Sequence, residues 1–266
     1  MRTHSRFVIS ALAFGYAFLY VPLASVIFYS FNNSRLATVW GGFSTRWYAE
    51  LLKNEQVLDA AWLSLRIAIT AATLATVFGT LAGLALARFG RFRGRHLFTG
   101  MITAPLVMPE VITGLSLLLL FVTLHQAIGW PGQRGFNTIT LAHSTFAMAY
   151  VAVIVQSRLV NMDETLEEAA MDLGGRPLRV FIDITIPLIA PAMVAGWLLG
   201  FTLSLDDLVI ASFVSGPGDS TLPMLIFSKV KLGVTPDINA LATVIIAFVT
   251  IGVLIAWLLI GKSRPD

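Results

Sequence analysis

Six apolar stretches, at about 7–31, 67–87, 102–124, 138–157, 184–205 and 238–261, set the terms for how this chain can fold. A bilayer's hydrocarbon core of about 30 Å takes about 20 apolar residues to cross as a helix, and each stretch is close to that length or beyond it. The expectation is an all-α integral membrane protein with six transmembrane helices in a single polytopic domain over residues 1–266. Composition supports this, since only 12% of residues are charged, against about 25% in an ordinary soluble domain. Mean hydropathy is +0.80. Arg2 and Arg6 precede the first run as they would in a signal peptide, but the run far exceeds a signal's apolar region of about 7 to 15 residues. It reads as a retained anchor.

The net charge of +3 would suggest nucleic acid only if the basic residues shared one face with interleaved aromatics. They sit instead in short segments beside apolar runs, so no nucleic-acid partner is expected. Most of the 18 Lys and Arg residues fall on one side when the spans are alternated. Arg88, Arg91, Arg93 and Arg95 abut a membrane end, where positive charge fixes orientation. Both termini should be cytoplasmic, the loops at 32–66 and 206–237 outside, and the segment 158–183 inside. In the first outer loop Ser44 or Thr45 can cap a short interfacial helix carrying Trp47, Tyr48, Leu51 and Leu52.

Small residues recur every four positions in the second run (Ala71, Ala75, Gly79, Gly83, Ala87) and in the fifth (Ala192, Gly196, Gly200, Ser204). Such stripes let helices approach closely in lipid, and either packing within the chain or a subunit interface would use them.

Several chemistries lack their residues. There is no cysteine for a disulfide or a thiolate site. His4, His96, His125 and His143 lack metal-ligand spacing, and no Ser, His and Asp follow a hydrolase pattern. Gly261-Lys262-Ser263 lacks the earlier glycine of a phosphate-binding loop, because position 256 is Ala. The chain is therefore expected to be neither an enzyme nor a nucleotide binder, and His143 to be an interhelical hydrogen bonder.

The inner segment carries the most specific local signals. Asp163 suits an N-cap, and Glu164 and Glu167 suit the positive end of the helix dipole. Leu166, Ala169, Ala170 and Leu173 recur at helical spacing and form one apolar face. Gly174 stops the helix where a left-handed residue is common, and Pro177 suits the first turn of the next one. A helix of about eleven residues is marginal alone. Its face needs cover from cytoplasmic helix ends or from another protein.

Glu168-Ala169-Ala170, then Gly174, then Ile184-Thr185-Ile186-Pro187 resembles the EAA loop of permease subunits in type I ABC importers, with Ile186 where Leu is usual. Thr103 to Phe121 and Phe201 to Gly218 resemble the polyamine branch of that family, and within it the putrescine permeases. The resemblance extends over nearly the whole chain. It implies the type I ABC importer permease fold in a bacterial inner membrane, a second and different permease subunit, two ATPase subunits inside, and a soluble substrate-binding protein outside. It implies that this chain binds no cofactor, ATP and Mg being used by the partner ATPase. It also implies that Glu167, Glu168, Ala169, Ala170 and Gly174 couple the chain to that ATPase.

The carboxylates beside the apolar runs are the candidates for a cationic substrate's path. Glu110 lies about thirteen residues into a run beginning near Leu97, about 20 Å at 1.5 Å per residue, which puts it near mid-membrane. An acidic residue there faces a cavity or a partner. Thr103 and Thr113 share its helical face. Asp206 and Asp207 come at the outer end of the fifth span. Separated carboxylates would replace water around the ammonium groups of a polyamine. The competing reading is a secondary transporter of a cationic small molecule, although the two halves of the chain show no evident repeat.

Overall fold

The computed structural model describes residues 6–36, 39–233 and 235–262. Arg2, His4 and Ser263 lie outside the described residues. In chain order the helices are α1 (Arg6–Ser30), α2 (Arg46–Leu51), α3 (Glu55–Arg88), α4 (Arg95–Val107), α5 (Glu110–Ile128), α6 (Phe136–Val160), α7 (Thr165–Asp172) and α8 (Pro177–Val180). A π-helical turn, Phe181–Thr185, leads into α9 (Ile186–Leu205), and α10 (Val209–Val214), α11 (Leu222–Leu232) and α12 (Pro236–Lys262) follow. Among the described residues the β-structure is one isolated antiparallel bridge, between Asn32 and Phe43.

Among the described residues five helical segments are long and apolar enough to cross a membrane: Phe7–Ser30, Glu55–Arg88, Glu110–Ile128, Phe136–Val160 and Pro177–Leu205. A shorter apolar stretch, Pro236–Ile251, lies in α12 at the sixth expected span. The third span departs from expectation. Instead of one helix through 102–124 the chain breaks after Val107, with Met108 and Pro109 both extended (ψ 137° and 135°), and restarts at Glu110. Pro109 has no N–H to donate, and its ring pushes Met108 out of the helical region. Thr103 therefore sits on a different helix from Glu110, and the shared face expected of them does not exist. The second span begins well before 67, because Glu55 to Arg66 continue the same helix.

The contacts divide the chain into two compact units, residues 1–58 with 226–266, and residues 59–225. In the first unit α1 and α2 pack on α12. The loop after α1 is organised by Asn32, whose side-chain N–H groups donate to the carbonyls of Val39 (2.8 Å) and Leu36 (3.3 Å). Its side-chain oxygen accepts from the amides of Gly41 (2.8 Å) and Ser34 (3.1 Å). The Trp47 indole donates to the Asn32 carbonyl at 2.7 Å, and Trp47 and Leu51 are buried. While Leu52 remains exposed, one face of the short helix is thus tucked against protein. Its first turn is held by Ser44, which accepts from the Arg46 amide at 3.2 Å.

The second unit is built around α6, where Ala142, Ala147, Ala149, Val151, Ala152, Val155 and Leu159 are all buried. The small-residue stripes are answered here. A methyl group at Gly79 would stand 2.7 Å from Val151 Cβ, and one at Gly83 would stand 2.9 Å from the Ala152 carbonyl oxygen. Gly196 also faces Val151, and Gly200 faces Ala147 and Ala72. Helices α3 and α9 therefore use their glycines to close on α6 within this chain. The expected outer loop at 206–237 contains α10 and α11, and Ile210, Ala211 and Val214 of α10 are buried against α5 and α6.

Candidate functional site

The turn between the fourth and fifth spans is a short helix stopped at Gly174, as the sequence predicts, but it starts at Thr165 with Glu164 rather than Asp163 as its cap. Helix α7 begins at Thr165 with Glu164 in the capping position, and the amides of Glu167 and Glu168 donate to the Glu164 carbonyl. Asp163 stands just outside, its carboxylate accepting from the Thr165 amide at 3.0 Å. Hydrogen bonds from the Thr165 backbone and then its side chain hold that carboxyl below its ordinary value of 3.8. At the other end Gly174 has φ +87°, its amide donates to the Met171 carbonyl, and the Gly175 amide donates to the Ala170 carbonyl. This is the Schellman arrangement. A methyl group at Gly175 would meet the Ala170 carbonyl oxygen at 2.7 Å, so the stop requires two glycines, of which the sequence reading named one. Pro177 then opens α8 as expected.

None of the side chains of α7 is buried. Leu173 is 91% exposed and Leu166 49% exposed, and Ala169 and Glu168 also lie at the surface. Beside them Ala170, Leu173, Gly174, Gly175, Arg176 and Arg179 line an open groove of about 660 Å³. The predicted apolar face exists and is uncovered within this chain.

Glu167 behaves differently from its neighbour. Its carboxylate is 14% exposed and turned inward, where one oxygen accepts from Arg88 Nε at 3.0 Å and the other from the Thr185 hydroxyl at 2.7 Å. Arg88 Nη1 also donates to Glu164 at 2.6 Å. Of the two glutamates for which the resemblance implies coupling to an ATPase, Glu167 has its basic partner, Arg88, within this chain, and Glu168 is exposed. The sequence reading used Arg88 only as a topological charge, and nothing local links it to a carboxylate 79 positions away.

The path carboxylates also separate. Glu110 is the first residue of α5 and is exposed, so its charge sits at the positive end of the α5 dipole rather than within a continuous helix. Thr113 is on the same helix, its hydroxyl bonded to the Pro109 carbonyl at 3.3 Å, while Thr103 on α4 bonds the Thr99 carbonyl at 2.9 Å. Asp206 is exposed. Asp207 is committed inside: its oxygens accept from the Ala211 amide at 2.7 Å and the Ile210 amide at 3.3 Å, and it pairs with His143 Nε2 at 3.1 Å. His143 Nδ1 meets the Ser204 hydroxyl at 2.7 Å. A carboxylate can only accept, so the His143 Nε2–H donates to Asp207. The sequence reading of His143 as an interhelical hydrogen bonder holds, but it did not foresee Asp207 as the partner.

The described residues form an all-helical fold with five spans and an exposed short helix before the fifth, and the chain's relatives make its class a transporter permease subunit, which is non-catalytic. Within it, this chain belongs to the family described as binding-protein-dependent transport system inner membrane component, which matches residues 75–261. It is 61% identical over 255 residues to the putrescine transport system permease protein PotI of Escherichia coli (strain K12), covering 96% of this chain and 91% of that protein. It is 42% identical over 249 residues to the spermidine/putrescine transport system permease protein PotC of the same strain, covering 94% of this chain and 91% of that protein. Among solved structures, a bacterial ABC transporter importing the acidic polysaccharide alginate has the same fold, with a TM-score of 0.71, 16% identity and 100% of both chains covered. The MetNI methionine ABC transporter matches at a TM-score of 0.62 and 14% identity, over 81% of this chain and 99% of that one.

Proposed function

We propose that this chain forms half of the translocation path of an ATP-driven polyamine importer, with putrescine as its substrate. The reading rests most on the 61% identity to a putrescine permease across nearly the whole chain. Its partners are a second, different permease subunit, two ATPase subunits that use ATP and Mg, and a soluble binding protein that delivers substrate from outside. The termini and α7 lie on the cytoplasmic side, as the arginines around Arg88 to Arg95 favour. The exposed Leu166, Ala169 and Leu173 dock on the ATPase, with Glu168 meeting a basic residue there and Gly174 shaping the turn. Closure of the ATPase pair then moves the permease helices through α7.

On the substrate side, Glu110 and Asp206 are the carboxylates free to replace water around an ammonium group, while Asp207 holds α10 in place beside them. A diamine carries two separated charges, and an attractive charge near each lowers the cost of leaving water. Reconstitution of the whole complex in liposomes tests the reading. Putrescine uptake that requires ATP, Mg and the binding protein, with an acidic control excluded, is expected. Uptake driven by an ion gradient without the ATPase would overturn it.

A further inference from the structure

Helix α7 is eight residues long and buries no side chain, so apolar packing does not fix it to the rest of the chain. It is flanked by Asp163 before it and by the glycine pair Gly174 and Gly175 after it. A helix this short is not stable alone. What holds it is a polar node joining three elements. Arg88, the last residue of α3, donates to Glu167 and Glu164 of α7, and Thr185, at the end of the π-helical turn entering α9, donates to Glu167 from the other side. Arg88, Glu167 and Thr185 are 12%, 14% and 2% exposed, so their part of the node is largely shielded from water, while Glu164, 62% exposed, stands at its outer edge. Charge-assisted bonds made away from water are strong and directional.

The position of Arg88 adds a second reason. A cation in the last turn of α3 is favoured by that helix's dipole, and its Nε and Nη1 reach two carboxylates three residues apart, Glu167 in the first turn of α7 and Glu164 in its capping position. A lysine, with one compact ammonium on a flexible stem, could not reproduce that fork.

We propose that Arg88, Glu167 and Thr185 are positioning residues that lock α7 to the inner ends of α3 and α9, so that displacement of α7 is delivered to two spanning helices at once. Glu167 is then an internal strut, and Glu168 alone of the two meets the ATPase. This rests on the ATP-driven reading above, and the experiment separates the two. In the reconstituted complex, transported putrescine per ATP hydrolysed is measured alongside copurification of the ATPase. A wild-type complex whose ATPase ignores binding protein and substrate would sink the functional reading itself.

Given a responsive wild type, Arg88→Gln, Glu167→Gln and Thr185→Val should each lower transport per ATP at least about fivefold, the lower end of typical coupling between sites, while the ATPase still copurifies. The double variant Arg88→Gln with Glu167→Gln should be no worse than either single one. Thr185→Ser should recover coupling, Arg88→Lys should not, and the charge exchange Arg88→Glu with Glu167→Arg should recover part of it. Additive losses in the double variant would mean that Glu167 acts on the ATPase independently of Arg88, and would overturn the proposal. Wild-type coupling in Arg88→Gln, or full recovery by Arg88→Lys, would overturn it as well.

Discussion

Helices α7 and α10 are both short, both follow a spanning helix, and both are held by carboxylates, yet they are built in opposite ways. Helix α10 buries Ile210, Ala211 and Val214 and is tied at its start by Asp207, which serves two backbone amides and His143. Helix α7 buries nothing and is tied from its side by Arg88 and Thr185. The first is a piece of the core with a polar cap. The second is an exposed platform kept in register by polar bonds, which is what a surface must be if a partner is to push on it. Losing the tie should therefore damage stability in α10 and communication in α7.

The largest stability effect should come from Asp207→Ala. It leaves the His143 ring and the Ile210 and Ala211 amides without their acceptor, at a cost of about 3 kcal/mol, seen as a lower thermal midpoint of the detergent-purified complex. In contrast, Glu167→Ala should cost only about 1 kcal/mol, because local opening of α7 exposes no core. Equal losses in the two variants would erase the distinction between the helices.

Next in size should be Gly175→Val. Its Cβ would meet the Ala170 carbonyl oxygen, distorting the turn that aims Leu173, so ATPase copurification should fall while membrane insertion survives. Normal copurification would show that the shape of the turn is immaterial to docking.

Much of this contrast was legible beforehand where the signal was local. The apolar runs announce the spans, and the Gly174 stop and Pro177 start announce the inner turn, because capping chemistry acts over three or four residues. The small-residue stripes were legible as close-packing surfaces, but only the tertiary structure shows α6 filling them. The break before Glu110 escapes a hydropathy reading because the residues on both sides of it stay mostly apolar, and hydropathy is blind to the missing N–H of Pro109. Helix α10 went unread because six residues are too few to display a period. The Arg88 and Glu167 pair, and Asp207 with His143, join residues far apart in sequence, where spacing carries no information.

On the substrate side, Glu110→Gln and Asp206→Asn should each lower putrescine uptake several-fold with assembly and basal ATPase activity retained. Loss of assembly in either variant would move that residue to the structural group with Asp207.

The smallest effect concerns Asp163. Its carboxyl is held below the ordinary value of 3.8, so the stabilisation it gives the first turn is fully present above that pH and is lost as pH falls through the lowered value. At neutral pH Asp163→Asn should leave uptake nearly unchanged. In the wild type, hydrogen exchange at the Thr165 amide, corrected for its intrinsic pH dependence, should lose protection only below about pH 4. Loss of protection at neutral pH would contradict the assignment.

The most direct test of α7 as an anchored, exposed platform uses the chain's lack of cysteine. A single thiol at Leu173, carrying a short photo-crosslinker, is followed in membranes holding the complete complex. An adduct with the ATPase subunit whose yield changes on ATP binding is expected, and, in a parallel sample where the Leu173→Cys thiol is left unmodified, protection of that thiol from an impermeant reagent added outside. Labelling from outside, or no adduct with the ATPase in an assembled complex, would contradict it.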